Sequence, residues 1–301
     1  MSQMQIKTIH KIAPIPLSNP LQNKRKSILW MLMWAFSITL AVSFAKGLDS
    51  EISGFILVFF RCFFGFLFTV PFIFSEGLEK LKTKRFPLHF LRMFFNASGL
   101  VCTYYAYRRL PLAEATAVGF TEPLVTIALA AIILKDRLTL ARWIGVIGGY
   151  VGVLVIASPH TMVINSAFYV LLLANIFASS SLVCTKILSK TDSTIAILTY
   201  TNIISILIAG FVAVPYWKTP DLYNALLMIG VSLCGIVSQF SYVKALKFGD
   251  PSFLAPFEYT RLLMAIPIGI LFFSETPSIK VFVGAGIIAF ATYALARLER
   301  S

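Results

Sequence analysis

Charge is scarce in this sequence. Charged residues make up only 13% of the 301 positions, and acidic ones are the rarer kind, with 13 Asp+Glu against 26 Lys+Arg. A water-soluble domain carries about 25% charged residues and roughly half apolar ones, whereas 58% of this chain is hydrophobic. The composition therefore excludes a soluble enzyme, a disordered chain and a collagen-like chain, and it predicts a protein embedded in a membrane.

Cysteine and histidine are also few. The cysteines are isolated inside apolar runs without a CxxC pair, and the histidines do not cluster. The residues concerned are Cys62, Cys102, Cys184 and Cys234, and His10, His89 and His160. This spacing gives neither a disulfide framework nor a metal site. We therefore expect no cofactor, no metal and no catalytic residue, and we interpret the cysteines as small apolar packing residues.

Long apolar runs are abundant. A helix needs about 20 apolar residues to cross the hydrocarbon core of a bilayer, and ten such runs follow one another with short loops. They cover residues 27–45, 54–74, 89–106, 113–134, 143–157, 166–188, 194–216, 223–245, 251–273 and 279–296. We expect an all-α membrane protein with ten transmembrane helices, divided into a tail at 1–26, a first half at 27–157 and a second half at 166–297.

Most basic residues flank these runs. Lys24, Arg25 and Lys26 precede the first run, and another basic group at 80–85 lies between the second and the third. Because Lys and Arg are enriched in cytoplasmic loops, this distribution predicts a multi-pass protein with both termini in the cytoplasm. Charge that flanks the spans, and forms no single stripe, indicates a lipid bilayer and no nucleic acid as the partner.

The two halves are weakly self-similar. Aligning the chain with itself so that Glu122 falls on Arg261 also places Thr121 on Thr260 and Gly145 on Gly284. The apolar runs then coincide over nearly the whole chain, five runs in each half. A repeat with an odd number of spans enters the membrane in the opposite orientation, which predicts two inverted five-helix repeats with a ligand site near the midplane where they meet.

Five ionisable residues lie well inside the runs, and they are the first candidates for a functional site. Each costs about 2.5–3.5 kcal/mol or more at the centre of a lone transmembrane helix, so it must face the interior of the bundle. They are Arg61, Arg92, Glu122, Glu258 and Arg261. A polar substrate pathway and a purely structural ion pair both explain such residues.

The ninth run concentrates these features. Glu258 and Arg261 are three residues apart, so they share a helix face and can pair directly. Tyr259 lies beside them, and Pro256 can break or bend the helix. Because Glu122 corresponds to Arg261 in the repeat alignment, an acid in one half matches a base in the other. This arrangement suits a zwitterionic ligand, with its carboxylate on arginine and its cationic group on glutamate.

Further side chains are candidates for lining a cavity. Arg61 is flanked by apolar residues in the second run, whereas Arg92 lies close enough to the membrane interface to snorkel. Aromatic and amide side chains inside the runs complete the candidate substrate-binding set: Trp34, Tyr104 and Gln239.

Small residues repeat in the fifth run. Gly145 and Gly149, and likewise Gly148 and Gly152, are spaced by four residues. This spacing lets helices approach closely, either within the chain or between subunits. A homodimer through the glycine-rich fifth helix or the tenth helix is one expectation.

The combination of these features resembles the EamA-type branch of the drug/metabolite transporter superfamily. The resemblance covers about residues 27–297 and depends on Glu122-Pro123, on Leu134-Lys-Asp-Arg-Leu and on Arg142-Trp-Ile-Gly-Val-Ile-Gly-Gly-Tyr-Val-Gly-Val. Within that branch the chain is similar to the S-adenosylmethionine uptake transporters, in Phe59-Phe-Arg61, His89-x-x-Arg92 and Ala255-Pro-Phe-Glu-Tyr259. The resemblance implies a secondary transporter of the inner membrane that works by alternating access.

We therefore expect a transporter of a small polar or zwitterionic metabolite, with S-adenosylmethionine as one candidate substrate. An exporter of amino acids or drugs is the main alternative. A membrane-embedded enzyme is a distant one, since no run brings several acids or histidines together for metal or acid-base chemistry. The sequence leaves the direction of transport and the coupling to protons open.

Overall fold

The computed structural model describes residues 20–49, 52–107, 109–110, 118–157, 166–274 and 278–299, and these residues form helices and short connections without a strand. Six helices are continuous with few irregularities: α1 (Pro20–Lys46), α2 (Gly54–Glu76), α3 (Phe86–Tyr107), α5 (Leu140–Ala157), α6 (Ser166–Ser189) and α7 (Thr194–Ala213). Two more, α8 (Leu222–Phe248) and α10 (Ile279–Leu298), complete the regular set.

Two helices change their geometry inside the bundle. α4 runs over Glu122–Leu129 and ends in a π-helical turn, Ala130–Leu134. α9 consists of Pro251–Leu254 and Thr260–Phe273, joined by a 3₁₀ stretch, Ala255–Tyr259. Pro256 lies in that stretch, and its ring and missing N–H explain why regular α-helix does not continue through it. The expected break in the ninth helix is therefore present.

Helix starts are set by local hydrogen bonds. The side chain of Ser53 accepts from the Phe55 amide at 3.2 Å, that of Ser193 from the Ala196 amide at 2.9 Å, and that of Asp221 from the Asn224 amide at 2.9 Å. Each bond satisfies an amide left free in the first helical turn. These caps begin α2, α7 and α8 at the positions where short loops enter the bundle.

The fold class predicted from the sequence is confirmed, with differences in helix bounds. Eight helices are long and apolar enough to cross a membrane among the described residues, and Glu122–Leu134 is a shorter apolar helix. α3 has the length of a span but carries His89 and Arg92, which lower its hydropathy. α1 begins at Pro20, several residues before the expected start at Ser27. The first part of the expected fourth run, 111–117, lies outside the described residues.

The helix packing repeats between the halves. The most extensive contacts join α1 to α8, α3 to α6, α5 to α10 and α2 to α7. Each helix of the first half corresponds to the helix five places later in the second half. The α1–α8 pair therefore corresponds to the α6–α3 pair, and the α5–α10 and α2–α7 pairs each join two corresponding helices. This is the packing of two five-helix repeats related by a twofold axis, and the odd number of helices makes the repeats inverted.

Both ends of the described chain lie on one side of the bundle. Lys24 Nζ, at the start of α1, lies 2.8 Å from a carboxylate oxygen of Glu299, which follows α10. We call this side the terminal side, and it also holds the α2–α3, α4–α5, α6–α7 and α8–α9 connections.

The glycines of α5 are packed within the chain. A Cβ at Gly152 would lie 2.7 Å from the Gly284 carbonyl oxygen of α10, and a Cβ at Gly148 would lie 2.9 Å from the Cβ of Ala291. A Cβ at Gly149 would collide with the ring of Tyr259. The small-residue pattern therefore joins the ends of the two repeats, and a homodimer through α5 or α10 stays a prediction.

We expect Gly152→Ala to weaken the α5–α10 contact, because the added methyl group meets backbone. Overpacking of this kind costs about 1–3 kcal/mol, so the melting temperature of the detergent-solubilised protein should fall. Gly286→Ala is the matched control in α10, where a Cβ meets no atom within 4 Å and helix propensity gains up to ~1 kcal/mol. Equal melting temperatures for the two variants would contradict the packing.

Candidate functional site

Four polar residues from both repeats meet inside the bundle. They are Glu122 of α4, Tyr242 of α8, and Glu258 and Arg261 of α9, and we call them the central cluster. The hydroxyl of Tyr242 donates to Oε1 of Glu258 at 3.0 Å, and Glu258 is only 5% exposed. Glu258 lies in the 3₁₀ stretch, so the break in α9 places this carboxylate against α8.

Arg261 forms no direct ion pair in the described part of the chain. Its charge interacts with both Glu122 and Glu258, while its guanidinium carbon lies 4.2 Å from the centroid of the Phe120 ring. Its carbonyl oxygen accepts from the hydroxyl of Thr39 in α1 at 3.3 Å. The expected direct pair between Glu258 and Arg261 is replaced by a cation–π contact, which leaves the carboxylate groups available to a ligand.

The start of α4 is held in place by α6. The amide nitrogen of the Asn175 side chain donates to the Val118 carbonyl oxygen and to the Thr121 hydroxyl, both at 2.8 Å. The Ser179 hydroxyl donates to the Glu122 carbonyl oxygen at 3.3 Å. Glu122 is therefore positioned by polar contacts between helices of opposite repeats.

Tyr259 packs in the core. It is fully buried, its ring stacks on Phe120 with centroids 6.0 Å apart, and its hydroxyl donates to the Phe120 carbonyl oxygen at 3.3 Å. Gly149 leaves the space that the ring occupies. Tyr259 therefore connects α9 to the start of α4 and to α5, and it packs next to the central cluster.

An aromatic pair borders the central cluster on the α1 side. The rings of Trp34 and Tyr242 have centroids 5.4 Å apart and are inclined at 43°. Trp34 therefore lies next to the residue that donates to Glu258. The side chain of Tyr104, the other aromatic candidate, lies outside the described residues.

Arg92 reaches inward from α3. Its Nη1 donates to the Thr201 hydroxyl of α7 at 2.5 Å, while its Nε is buried without a hydrogen-bond partner. The guanidinium also lies within electrostatic range of Tyr242. Arg92 therefore approaches the central cluster and does not extend to the membrane interface as a snorkelling side chain would.

Arg61 lies in a separate narrow cleft lined also by Gly65, Asn202, Gly235 and Gln239. A Cβ at Gly235 would lie 2.9 Å from the Nε of Arg61, so the absence of a side chain there makes room for the guanidinium. Nδ2 of Asn202 and Oε1 of Gln239 are buried without partners. Gln239 is one turn before Tyr242 on α8, so this cleft and the central cluster occupy adjacent levels of one helix.

Sequence reasoning did not select Asn202, Gly235 or Phe120 for the site. Asn202 is an amide inside an apolar run. The same signal selected Gln239, so Asn202 could have been selected from the sequence. Gly235 and Phe120 gave no such signal. Gly235 makes room for Arg61 and the Phe120 ring contacts Arg261, and both contacts depend on which helices pack together.

An ionic network around Glu299 joins several helices on the terminal side. Its carboxylate contacts Lys24 Nζ at 2.8 Å, Arg142 Nε at 3.0 Å and the Thr139 hydroxyl at 2.8 Å. Nη1 of Arg142 also donates to the Ser252 hydroxyl at 2.5 Å. We call Lys24, Thr139, Arg142, Ser252 and Glu299 the terminal-side network. It joins α1, α5, α9 and α10 beneath the central cluster.

Charge partners hold Glu299 ionised. Burial alone raises the pKa of this carboxyl, but hydrogen bonds from Lys24 and Thr139 and the charge of Arg142 outweigh burial, so its pKa lies below the ordinary value of 4.5. The carboxylate therefore stabilises the folded protein at neutral pH.

A second polar contact closes the α6–α7 connection. Nε2 of His89 lies 2.8 Å from Oδ2 of Asp192, and both side chains are buried. Burial raises the pKa of Asp192, but hydrogen bonds from Thr83, His89 and Thr191 outweigh it and leave this pKa below its ordinary value of 3.8. The start of α3 is thereby fixed to the end of α6 on the terminal side.

Comparison with known proteins agrees with this architecture. The sequence profile described as the EamA-like transporter family matches residues 25–158 and again 165–297. The chain is 30% identical over 277 residues to the S-adenosylmethionine uptake transporter of Rickettsia prowazekii, covering 92% of this chain and 94% of that protein. It is 25% identical over 276 residues to the riboflavin transporter of Vibrio cholerae, covering 90% and 93%. A solved crystal structure of a protein with 15% identity superposes with a TM-score of 0.78 over 93% of this chain and 99% of that one, which shows a shared fold.

We expect Glu299→Gln to lower the melting temperature at pH 7, because Lys24 and Arg142 lose their anionic partner. Hydrogen bonds to charged groups contribute about 1.5–3 kcal/mol. Since the folded pKa is depressed, the wild-type advantage should be complete above pH 4.5 and should shrink as the pH falls through the lower folded value. Thermal unfolding in detergent between about pH 3.5 and 7 measures this.

Glu79→Gln is the control for this prediction, because the Glu79–Lys82 pair is exposed and exposed pairs contribute about 0–1 kcal/mol. A wild-type advantage over Glu299→Gln that grows on acidification would contradict the assignment.

Proposed function

This chain belongs to the EamA-like transporter family, and we propose that it takes up S-adenosylmethionine across the inner membrane by alternating access. The observation that carries the proposal is the composition of the central cluster, where the carboxyl groups of Glu122 and Glu258 lie within electrostatic range of the Arg261 guanidinium. The similarity to S-adenosylmethionine uptake transporters over nearly the whole chain supports the same substrate.

The charges of the ligand match those of the site. S-adenosylmethionine has two cationic groups, an ammonium and a sulfonium, and one carboxylate. Glu122 and Glu258 supply two carboxyl groups in the central cluster that can pair with these cationic groups. Buried carboxylates favour cations strongly, because the surrounding low dielectric strengthens the interaction and because a buried charge needs a partner.

Arginine provides the partner for the ligand carboxylate. Among the described residues Arg61 has no acidic partner, and it shares its cleft with the unpartnered amide of Asn202. A guanidinium and an amide donor together can bind both oxygens of a carboxylate. We assign the carboxylate to Arg61, with Arg92 and its unpaired Nε as the nearest other cation.

The adenine ring requires an aromatic surface. Trp34 and Tyr242 form such a surface beside Glu258, and base–aromatic stacking contributes about 1–3 kcal/mol. Trp34 would therefore bind the base, while the acids bind the cationic groups.

The terminal side supports an orientation of the protein in the membrane and a conformation from which transport starts. Because basic residues flank the spans on the terminal side, we assign this side to the cytoplasm. The network then closes the cytoplasmic side, so the substrate enters from the opposite side, and opening requires the contacts of Glu299 to break.

An exporter of amino acids or other metabolites is the second candidate, favoured by the carboxylate-and-ammonium chemistry of Arg61 and Glu258. An amino acid lacks the sulfonium and the base. Competition by simple amino acids therefore separates the two candidates.

We expect Glu258→Gln to reduce the initial rate of uptake of labelled S-adenosylmethionine into proteoliposomes about ten- to hundredfold. The loss corresponds to about 1.5–3 kcal/mol for a charged contact. In the wild type, S-adenosylhomocysteine should compete weakly because it lacks the sulfonium charge, and Glu258→Gln should reduce that discrimination. Glu79→Gln, an exposed acid on the terminal side, is the control and should transport normally.

Two results would overturn the substrate assignment. One is equal competition by S-adenosylhomocysteine and S-adenosylmethionine in the wild type. The other is efficient competition by amino acids without the adenosyl group, which favours the exporter candidate.

We expect Arg61→Ala to remove the preference for S-adenosylmethionine over its decarboxylated analogue, by about tenfold or more. Gly235→Ala should produce part of the same loss, because its Cβ displaces the guanidinium, and the double variant should be no worse than Arg61→Ala. Gly230→Ala is the control, because Gly230 lies on the same helix as Gly235 but faces Phe44 of α1 and not Arg61. Additive losses in the double variant would show that Gly235 does not act through Arg61.

A further inference from the structure

A second cavity, of about 400 Å³, lies on the terminal half of the bundle between the α1–α8 pair and the α2–α7 pair. Its walls are almost entirely apolar and include Trp30, Phe68, Leu198, Val237 and Phe240. None of the central-cluster residues lines it. The cavity is therefore separate from the central cluster, and it adjoins the Arg61 cleft only at Ile236, which lines both.

The cavity exists because α2 and α8 diverge. Toward the middle of the bundle they touch, where the Ser232 hydroxyl donates to the Phe60 carbonyl oxygen at 3.4 Å and Arg61 fits against Gly235. Toward the terminal side the cavity occupies the space between them. Phe72 on its rim is exposed, whereas Ser241 on its floor is fully buried. Since these helices cross the membrane, the cavity opens sideways into lipid.

Hydrocarbon is the chemistry that fits the walls. Each buried methylene group contributes about 0.8 kcal/mol, and an apolar cavity does not hold ordered water. Lipid chains surround the protein at this depth, so an acyl chain fills the cavity without an unfavourable polar contact.

Two lysines lie just beyond the cavity toward the terminal side. Lys244 Nζ lies 5.2 Å from the centroid of the Phe240 ring, and Lys26 is one turn before Trp30 on α1, with its Nζ 5.8 Å from the centroid of Phe248. The Trp30 and Phe240 rings touch edge to face, 5.6 Å between centroids. Lys244 therefore lies against the aromatic pair, whereas Lys26 lies against Phe248, about two turns further toward the terminal side. Neither lysine forms an ion pair among the described residues.

Ser241 adds a polar group at the matching depth. Its hydroxyl is fully buried and has no hydrogen-bond partner, and the residue lines the cavity. Three residues along a helix correspond to about 4.5 Å, so Ser241 lies one helical step deeper than Lys244. In a phospholipid the ester carbonyl groups lie just deeper than the phosphate.

We propose that this cavity binds one acyl chain of an anionic phospholipid, with the phosphate on Lys26 and Lys244 and an ester carbonyl on the Ser241 hydroxyl. Basic residues between transmembrane helices on the cytoplasmic side bind anionic headgroups, and the terminal side is the basic side of this chain. A bound lipid would hold the two helix pairs at a fixed separation.

The test measures the melting temperature of the full chain in detergent with added phosphatidylglycerol, phosphatidylcholine or inorganic phosphate. Phosphatidylglycerol should stabilise the protein more than phosphatidylcholine, and native mass spectrometry should retain one phosphatidylglycerol per chain. Lys26→Ala combined with Lys244→Ala should reduce the phosphatidylglycerol response to that of phosphatidylcholine. Lys82→Ala, whose lysine is exposed and paired with Glu79, should change nothing.

A second pair of variants tests the cavity itself. Val237→Trp fills the mouth from an exposed position and should abolish the response to both lipids, whereas Leu226→Trp, exposed on the same helix outside the cavity, should retain it. Three results would overturn the proposal: equal stabilisation by the two lipids, stabilisation by inorganic phosphate alone, or a full phosphatidylglycerol response in Val237→Trp. Loss of S-adenosylmethionine binding in Val237→Trp would instead assign the cavity to the substrate pathway and would also overturn it.

Discussion

The cost of placing charge in hydrocarbon determines much of this structure. A lone ionised side chain at the centre of a transmembrane helix is unfavourable by several kcal/mol, and Glu122, Glu258 and Arg261 all lie inside spans. They are tolerated because they face one another across the interface between the repeats. The α5–α10 glycine contact and the α4–α6 hydrogen bonds bring the helices close enough for this. The polar interior and the close packing around it therefore depend on each other.

The break in α9 turns this constraint into a binding geometry. In a continuous α-helix Glu258 and Arg261 would share one face and could neutralise each other. The 3₁₀ stretch instead directs Glu258 to Tyr242, while Arg261 lies on Phe120. Neither contact neutralises the charge. The site therefore keeps a carboxylate and a guanidinium that a ligand can still pair with, and Tyr259, buried behind them, holds the break in place.

Much of the architecture could be predicted from the sequence, because hydrophobic length and charge placement are properties of the chain itself. The repeat alignment paired Glu122 with Arg261, and the structure brings both into the central cluster. Side-chain orientation was less accessible. Tyr259 lies beside two charges in the sequence but packs in the core. Glu299, which follows the last apolar run, holds α1 and α5 together. Both outcomes depend on contacts between residues far apart in the chain.

The separate locations of the terminal-side network and the central cluster also fit a protein that changes conformation. At the terminal side, Lys24 is partly exposed, whereas Glu299 and Arg142 are buried. When this side opens, water can replace the hydrogen bonds that these residues lose. In the central cluster no such replacement is available while the site is closed, so the charges there require a ligand or one another. A ligand shifts a conformational equilibrium only by its differential affinity for the two states. A cationic ligand that binds the charges of the central cluster can therefore shift the equilibrium toward the conformation in which the contacts of the terminal-side network are broken.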